Sequence, residues 1–145
     1  TSNHICYALR EENALFTGDH VMGWSTTVIS PPDGDMRAYI SSLRQLYKRN
    51  DKIYYPTHGA PIGNPLPFVR GLITHRKMRE GQIMALLKNG NTTIPNMVQN
   101  IYKELDPRLI PAAERSVFAH VIDLWERGKI ECEGELVING VYSLS

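Results

Sequence analysis

Two short apolar runs flanking one amphipathic stretch do most to constrain what this chain can fold into. Ala14-Leu15-Phe16-Thr17 and Lys52-Ile53-Tyr54-Tyr55 have the length and composition of strands. Between them, Met36, Tyr39-Ile40, Leu43 and Leu46-Tyr47 recur at spacings of three and four. That period predicts a helix over 35–49, with Asp35 as its N-cap and Arg37, Arg44, Lys48 and Arg49 facing water. Strand, helix, strand is a crossover unit, so the two strands run parallel and end at one edge of a sheet. Asp19 follows the first strand end in Thr17-Gly18-Asp19-His20. His58 follows the second in Pro56-Thr57-His58-Gly59. The topology therefore brings a carboxylate and an imidazole to the rim where α/β sheets hold their ligands.

Each residue also has an ordinary explanation. Gly-Asp after a strand is common turn chemistry, and a histidine between Thr and Gly can simply pack in a turn. Together, a carboxylate and an imidazole suit zinc, manganese or iron better than calcium or copper. Two donors do not complete a zinc site, which takes four ligands when structural and three plus water when catalytic. His20, beside Asp19, and His4, opening an earlier strand-like run, are candidates to line or support the site. Trp24 lies in the aperiodic loop that follows Asp19 and is a candidate for the substrate rim. His75 and His120 fall within helical patterns and read as structural. Ser25, Thr26 and Thr27 have no Ser-His-Asp pattern around them to support nucleophilic catalysis.

Before the crossover, His4–Leu9 and Ala14–Thr17 flank a charged four-residue link and suggest a hairpin. Asp19 to Asp35 is a loop, and Trp24 with Val28-Ile29 suggests that it packs. After a proline-rich turn over Gly59–Pro67, a long helix is expected from Phe68 to Lys88. Arg70, His75-Arg76-Lys77 and Arg79-Glu80 fall on its wet faces, and Asn89-Gly90-Asn91 closes it. Helices over 94–102 and 107–126 follow, then strands over 130–133 and 135–142. That order is the order of a winged helix.

The 145 residues hold 16 basic against 15 acidic side chains, which argues against a strongly electrostatic nucleic-acid or membrane binder. Cys6 and Cys132 are far apart and form no C-x-x-C arrangement, so a disulfide framework is not expected and a reducing, cytoplasmic setting is. No apolar run approaches the ~20 residues of a membrane span.

With these residues in view, the chain resembles the C-terminal part of a metallo-β-lactamase-fold hydrolase, and within that family the β-lactamase-like protein 2 branch. Thr1-Ser2-Asn3-His4 resembles the tail of the family's G-H-T-x-x-H segment. Ala14–His20 resembles the strand that ends in the metal-bridging aspartate, and Tyr55–Ile62 the segment with the last histidine ligand. Ile73-Thr74-His75-Arg76, continuing to Arg79-Glu80, resembles the helix that leads into a C-terminal winged helix. The resemblance implies a mixed α/β fold: a partial αββα sandwich over 1–64, then a linking helix and a small winged-helix domain over 65–145. It implies a metal-dependent hydrolase, with two zinc ions (manganese or iron being alternatives), in which bound hydroxide attacks an ester, thioester, amide or phosphodiester. Asp19 would bridge the metals and His58 would be a terminal ligand. The family's H-x-H-x-D-H segment occurs nowhere in this sequence, and the histidine of G-H-T would precede Thr1. The expectation is thus a truncated chain that binds metal poorly, is inactive alone, and self-associates through an open sheet face. Its parent would act on a small-molecule or RNA substrate. A nucleic-acid or RNA-processing module using the winged helix is the alternative. Residues 65–145 carry 10 Lys or Arg against 9 Asp or Glu, a weak balance for that role.

Overall fold

The computed structural model of the chain describes residues 3–90 and 92–145. Thr1 and Ser2 of the opening motif, and Asn91 of the helix-closing triplet, lie outside the described residues. The fold is mixed α/β, with six strands, four α-helices and one short 3-10 helix among the described residues. It separates into two compact units. One comprises residues up to Thr27 together with Ala38–Arg76, and the other Val28–Arg37 together with Lys77–Ser145.

The first unit is built on a three-stranded sheet of order β1-β2-β3, with β1 Tyr7–Leu9, β2 Ala14–Gly18 and β3 Ile53–Pro56. β1 and β2 form the expected antiparallel hairpin, although the first strand begins only at Tyr7. β2 and β3 are parallel, as a crossover through helix α1 (Met36–Leu46) requires. Alternation along the strands decides which face is buried. Leu15 and Tyr54 are cross-strand neighbours, 2% and 1% exposed. Tyr7, Phe16 and Tyr55, aligned in register on the other face, are 68%, 45% and 38% exposed. Buried Val21, Tyr39, Leu43, Leu46, Ile62, Val69, Leu72 and Ile73 complete this unit's apolar interior.

Helix α2 runs from Pro65 to Lys88, starting three residues before the expected Phe68. Pro65 and Pro67 fall in its first turn, where a missing N–H costs nothing. The expectation that Arg76 and Arg79 face water is wrong: they are 2% and 8% exposed. Arg79 lays its guanidinium 4.1 Å from the centre of the Tyr102 ring and donates from Nη1 to Gln82 Oε1 at 2.7 Å.

The second unit contains α3 (Ile94–Ile101), a 3-10 turn at Pro107–Leu109, α4 (Ile110–Glu126) and an antiparallel sheet of order β4-β6-β5. Its strands are β4 Thr92–Thr93, β5 Ile130–Glu133 and β6 Val141–Leu144. Ile83, Leu87, Ile94, Met97, Val117, Val121, Leu124, Ile130 and Tyr142 form one buried cluster. The sequence predicts the last strand at 135–142, and the observed β6 lies later in the chain. Gly140 N–H donates to Val137 O at 2.9 Å, so 137–140 forms a turn before the strand begins. Thr93 caps α3, its Oγ1 accepting from Asn96 N–H at 3.4 Å. No helix among the described residues is long and apolar enough to cross a membrane.

Candidate functional site

The rim forms because β2 does not end as a regular strand. Its register with β3 shifts between Phe16 and Gly18, so Thr17 is the extra residue of a bulge. Thr17 is fully buried, and its Oγ1 donates to Val21 O at 2.8 Å. That bond folds the chain back directly after the strand. Gly18 then takes φ +55°, and a Cβ there would sit 2.5 Å from His4 Nε2. Only glycine combines that backbone with so close an imidazole.

Asp19 and His58 meet at this rim. Their Oδ1 and Nδ1 atoms are 2.6 Å apart, with side chains 50% and 55% exposed. A carboxylate only accepts, so Nδ1 carries the shared proton and donates it. The donor types and their exposure fit a divalent metal. The number does not complete one: among the described residues, no group of three or more His, Cys, Asp or Glu could hold an ion.

Other side chains secure the peptide of Asp19. Its N–H donates to His4 Nε2 at 3.2 Å, which places the proton of a neutral His4 on Nδ1. Its carbonyl accepts from Thr27 Oγ1. His20 turns to other partners. Its Nε2 lies 3.1 Å from Ser42 Oγ, and its ring meets the edge of Tyr39 at 5.3 Å between centroids. Burial, with His4 nearby, pushes the His20 imidazole down to about 4, so it is neutral near pH 7. Burial also raises Tyr39 and Cys6, which stay protonated there. Trp24 is 74% exposed, so it does not pack as expected and instead stands open beside the rim.

Sequence reasoning passed over a glycine pair. Gly23 N–H donates to His58 O at 2.8 Å, joining the loop after β2 to the loop after β3. A Cβ on Gly23 would lie 2.2 Å from Ala60 O, and one on Gly59 would lie 2.7 Å from Gly23 Cα. The two main chains touch, and that contact sets where His58 stands. Two glycines in otherwise aperiodic loops were the available signal.

Comparison with known proteins agrees with this architecture. A family profile described as a beta-lactamase associated winged helix domain matches residues 93–137. The chain is 32% identical over 133 residues to a beta-lactamase-like protein 2 homolog of Drosophila melanogaster, covering 90% of this chain and 44% of that protein. It is 38% identical over 89 residues to an atrochrysone carboxyl ACP thioesterase of Aspergillus fumigatus, covering 61% and 27%. The structure of a beta-lactamase domain protein from Burkholderia ambifaria superposes with a TM-score of 0.87 at 20% identity, covering 98% of this chain and 44% of that one. The chain spans under half the length of these proteins.

Proposed function

The chain corresponds to the C-terminal part of a metallo-β-lactamase-fold protein with its associated winged helix, and from that premise we propose that Asp19 and His58 are two ligands of a hydrolytic metal centre. One observation carries the reading: a carboxylate and an imidazole, 39 residues apart in sequence, meet at 2.6 Å on the rim of a parallel strand pair. Mixed N and O donors favour zinc, with manganese or iron as alternatives. A metal held there would supply Lewis acidity and activate water.

This chain's own residues contribute positioning and access. Asp19 and His58 would hold the cation, and both are open to solvent. His4 and Thr27 fix the peptide of Asp19, and Gly23 fixes that of His58. Trp24 offers an apolar platform beside the rim for substrate. His20, neutral and turned away, supplies no charge. Residues 1–64 carry the site, and 65–145 supply the linking helix and winged helix. Two donors leave the centre incomplete, so hydrolysis depends on donors beyond these two, and the chain alone binds metal weakly. The aligned aromatic face of Tyr7, Phe16 and Tyr55 is where another sheet surface or a second copy would pack.

The substrate carries an ester, thioester, amide or phosphodiester. The thioesterase name of the Aspergillus relative supports testing thioesters first. The test is a panel of those four bond types with zinc-loaded full-length protein. Hydrolysis of at least one, lost in Asp19→Ala and His58→Ala, is the expected result. Turnover that persists in both variants overturns the assignment.

A further inference from the structure

We propose that Arg76 is a positioning residue for this site, holding Asp19 in place through Thr27; the inference rests on the reading of Asp19 and His58 as ligands. An arginine stays charged in any protein environment. At 2% exposure its guanidinium has left water, so the surrounding structure has to satisfy its donors. One of those donors, on Nη2, goes to the carbonyl of Thr27. Thr27 in turn donates from Oγ1 to the carbonyl of Asp19, with the His20 carbonyl at 3.4 Å as a second acceptor. Two hydrogen bonds thus run from a buried cation to the peptide that carries the metal-binding carboxylate.

On its N-terminal side Asp19 is held by His4, which accepts its N–H at 3.2 Å. Asp19 is pinned at both main-chain polar groups, in the loop that begins directly after β2. Pinning removes backbone freedom that metal binding would otherwise have to remove, and so favours binding. The Arg76 guanidinium also lies 5.4 Å from the centre of the Tyr39 ring, and Tyr39 meets His20 edge-on. A planar fork can donate to a carbonyl while its flat face stacks on an aromatic ring, whereas an ammonium is a compact point charge with no face to stack. This explains arginine at position 76 better than charge alone does.

The test combines two readouts on full-length protein: zinc affinity, and the resonances of the Asp19 amide and His58 imidazole without zinc. Thr27→Val removes the hydroxyl and leaves the Thr27 carbonyl for Arg76. It should shift both resonances and weaken zinc about tenfold or more, as loss of a ligand-supporting partner does. Thr27→Ser, which keeps the hydroxyl, should restore both readouts. Arg76→Lys should reproduce the Thr27→Val pattern while the spectrum of residues 92–145 is unchanged. If Arg76→Lys unfolds, Arg76→Gln takes its place, and wild-type readouts in the folded Arg76 variant overturn the proposal. Wild-type resonances and zinc affinity in Thr27→Val overturn the proposal. Should Asp19→Ala and His58→Ala leave zinc binding intact while Thr27→Val still moves both resonances, the metal reading fails and the positioning role stands.

Discussion

Replacing Gly59 with alanine perturbs the contact that joins the two ligand loops. Gly59 has φ +96°, a region that alanine enters only under strain of about 1–3 kcal/mol. The new Cβ would stand 2.7 Å from Gly23 C and Cα and 2.8 Å from Trp24 N. All three are backbone atoms, so no side chain can swing aside to relieve them. The loops separate instead, and the Gly23 N–H bond to His58 O, 2.8 Å long, is lost. A net hydrogen bond adds about 1 kcal/mol, giving an expected cost of about 2–4 kcal/mol. Gly63→Ala is the control, because a Cβ there meets nothing within 4 Å. Urea denaturation of both variants gives the energies, and the His58 amide and imidazole resonances report the loop. A Gly59→Ala protein within about 0.5 kcal/mol of Gly63→Ala, the range of an innocuous surface change, with His58 unshifted would refute the glycine contact.

Two further outcomes follow from buried tyrosines. Tyr54 is 1% exposed, and burial, followed by the charge of Asp51, pushes its hydroxyl up to about 12. The folded state therefore holds that proton more tightly than the unfolded chain, whose tyrosines titrate near 10. Tyr54's contribution is complete below pH 10 and fades as pH rises through 10 to 12. Denaturation curves from pH 8 to 12 should show that decline, and Tyr54→Phe should make it shallower, with buried Tyr39 and Tyr142 supplying the remainder; an equal decline in the variant assigns the loss elsewhere. Tyr142 is fully buried and its hydroxyl donates to Val137 O at 2.5 Å, holding the turn before β6. Tyr142→Phe leaves that carbonyl without this donor and should cost about 1–2 kcal/mol, read by thermal denaturation and by faster exchange of the Gly140 amide.

The convergence of Asp19 and His58 was legible because it depends on strand direction. An amphipathic helix between two apolar runs implies parallel strands, and parallel strands share a rim. The buried arginines were misread for an instructive reason. Val69, Leu72, Ile73, Ile83 and Leu87 are buried on α2, and Arg76 and Arg79 continue the same spacing of three and four. Following the stripe would have placed both inside; judging by polarity placed them in water. Period identifies the buried face, whereas the partners that make a buried cation tolerable, here Thr27 O and the rings of Tyr39 and Tyr102, come from distant sequence. The Gly23–Gly59 contact is equally tertiary, since neither loop has a period. The late start of β6 reflects a local turn at 137–140 that the apolar residues around it obscured.

Asp19 and His58 are proposed to bind one cation. The direct measurement is zinc titration of full-length protein with the His58 imidazole nitrogens observed by NMR, repeated on Asp19→Ala and His58→Ala. Zinc should move a His58 nitrogen resonance out of its hydrogen-bonded position. Each substitution should lower the zinc bound per chain. Zinc that binds with His58 unmoved, at a stoichiometry and affinity unchanged in both variants, would rule out Asp19 and His58 as its ligands.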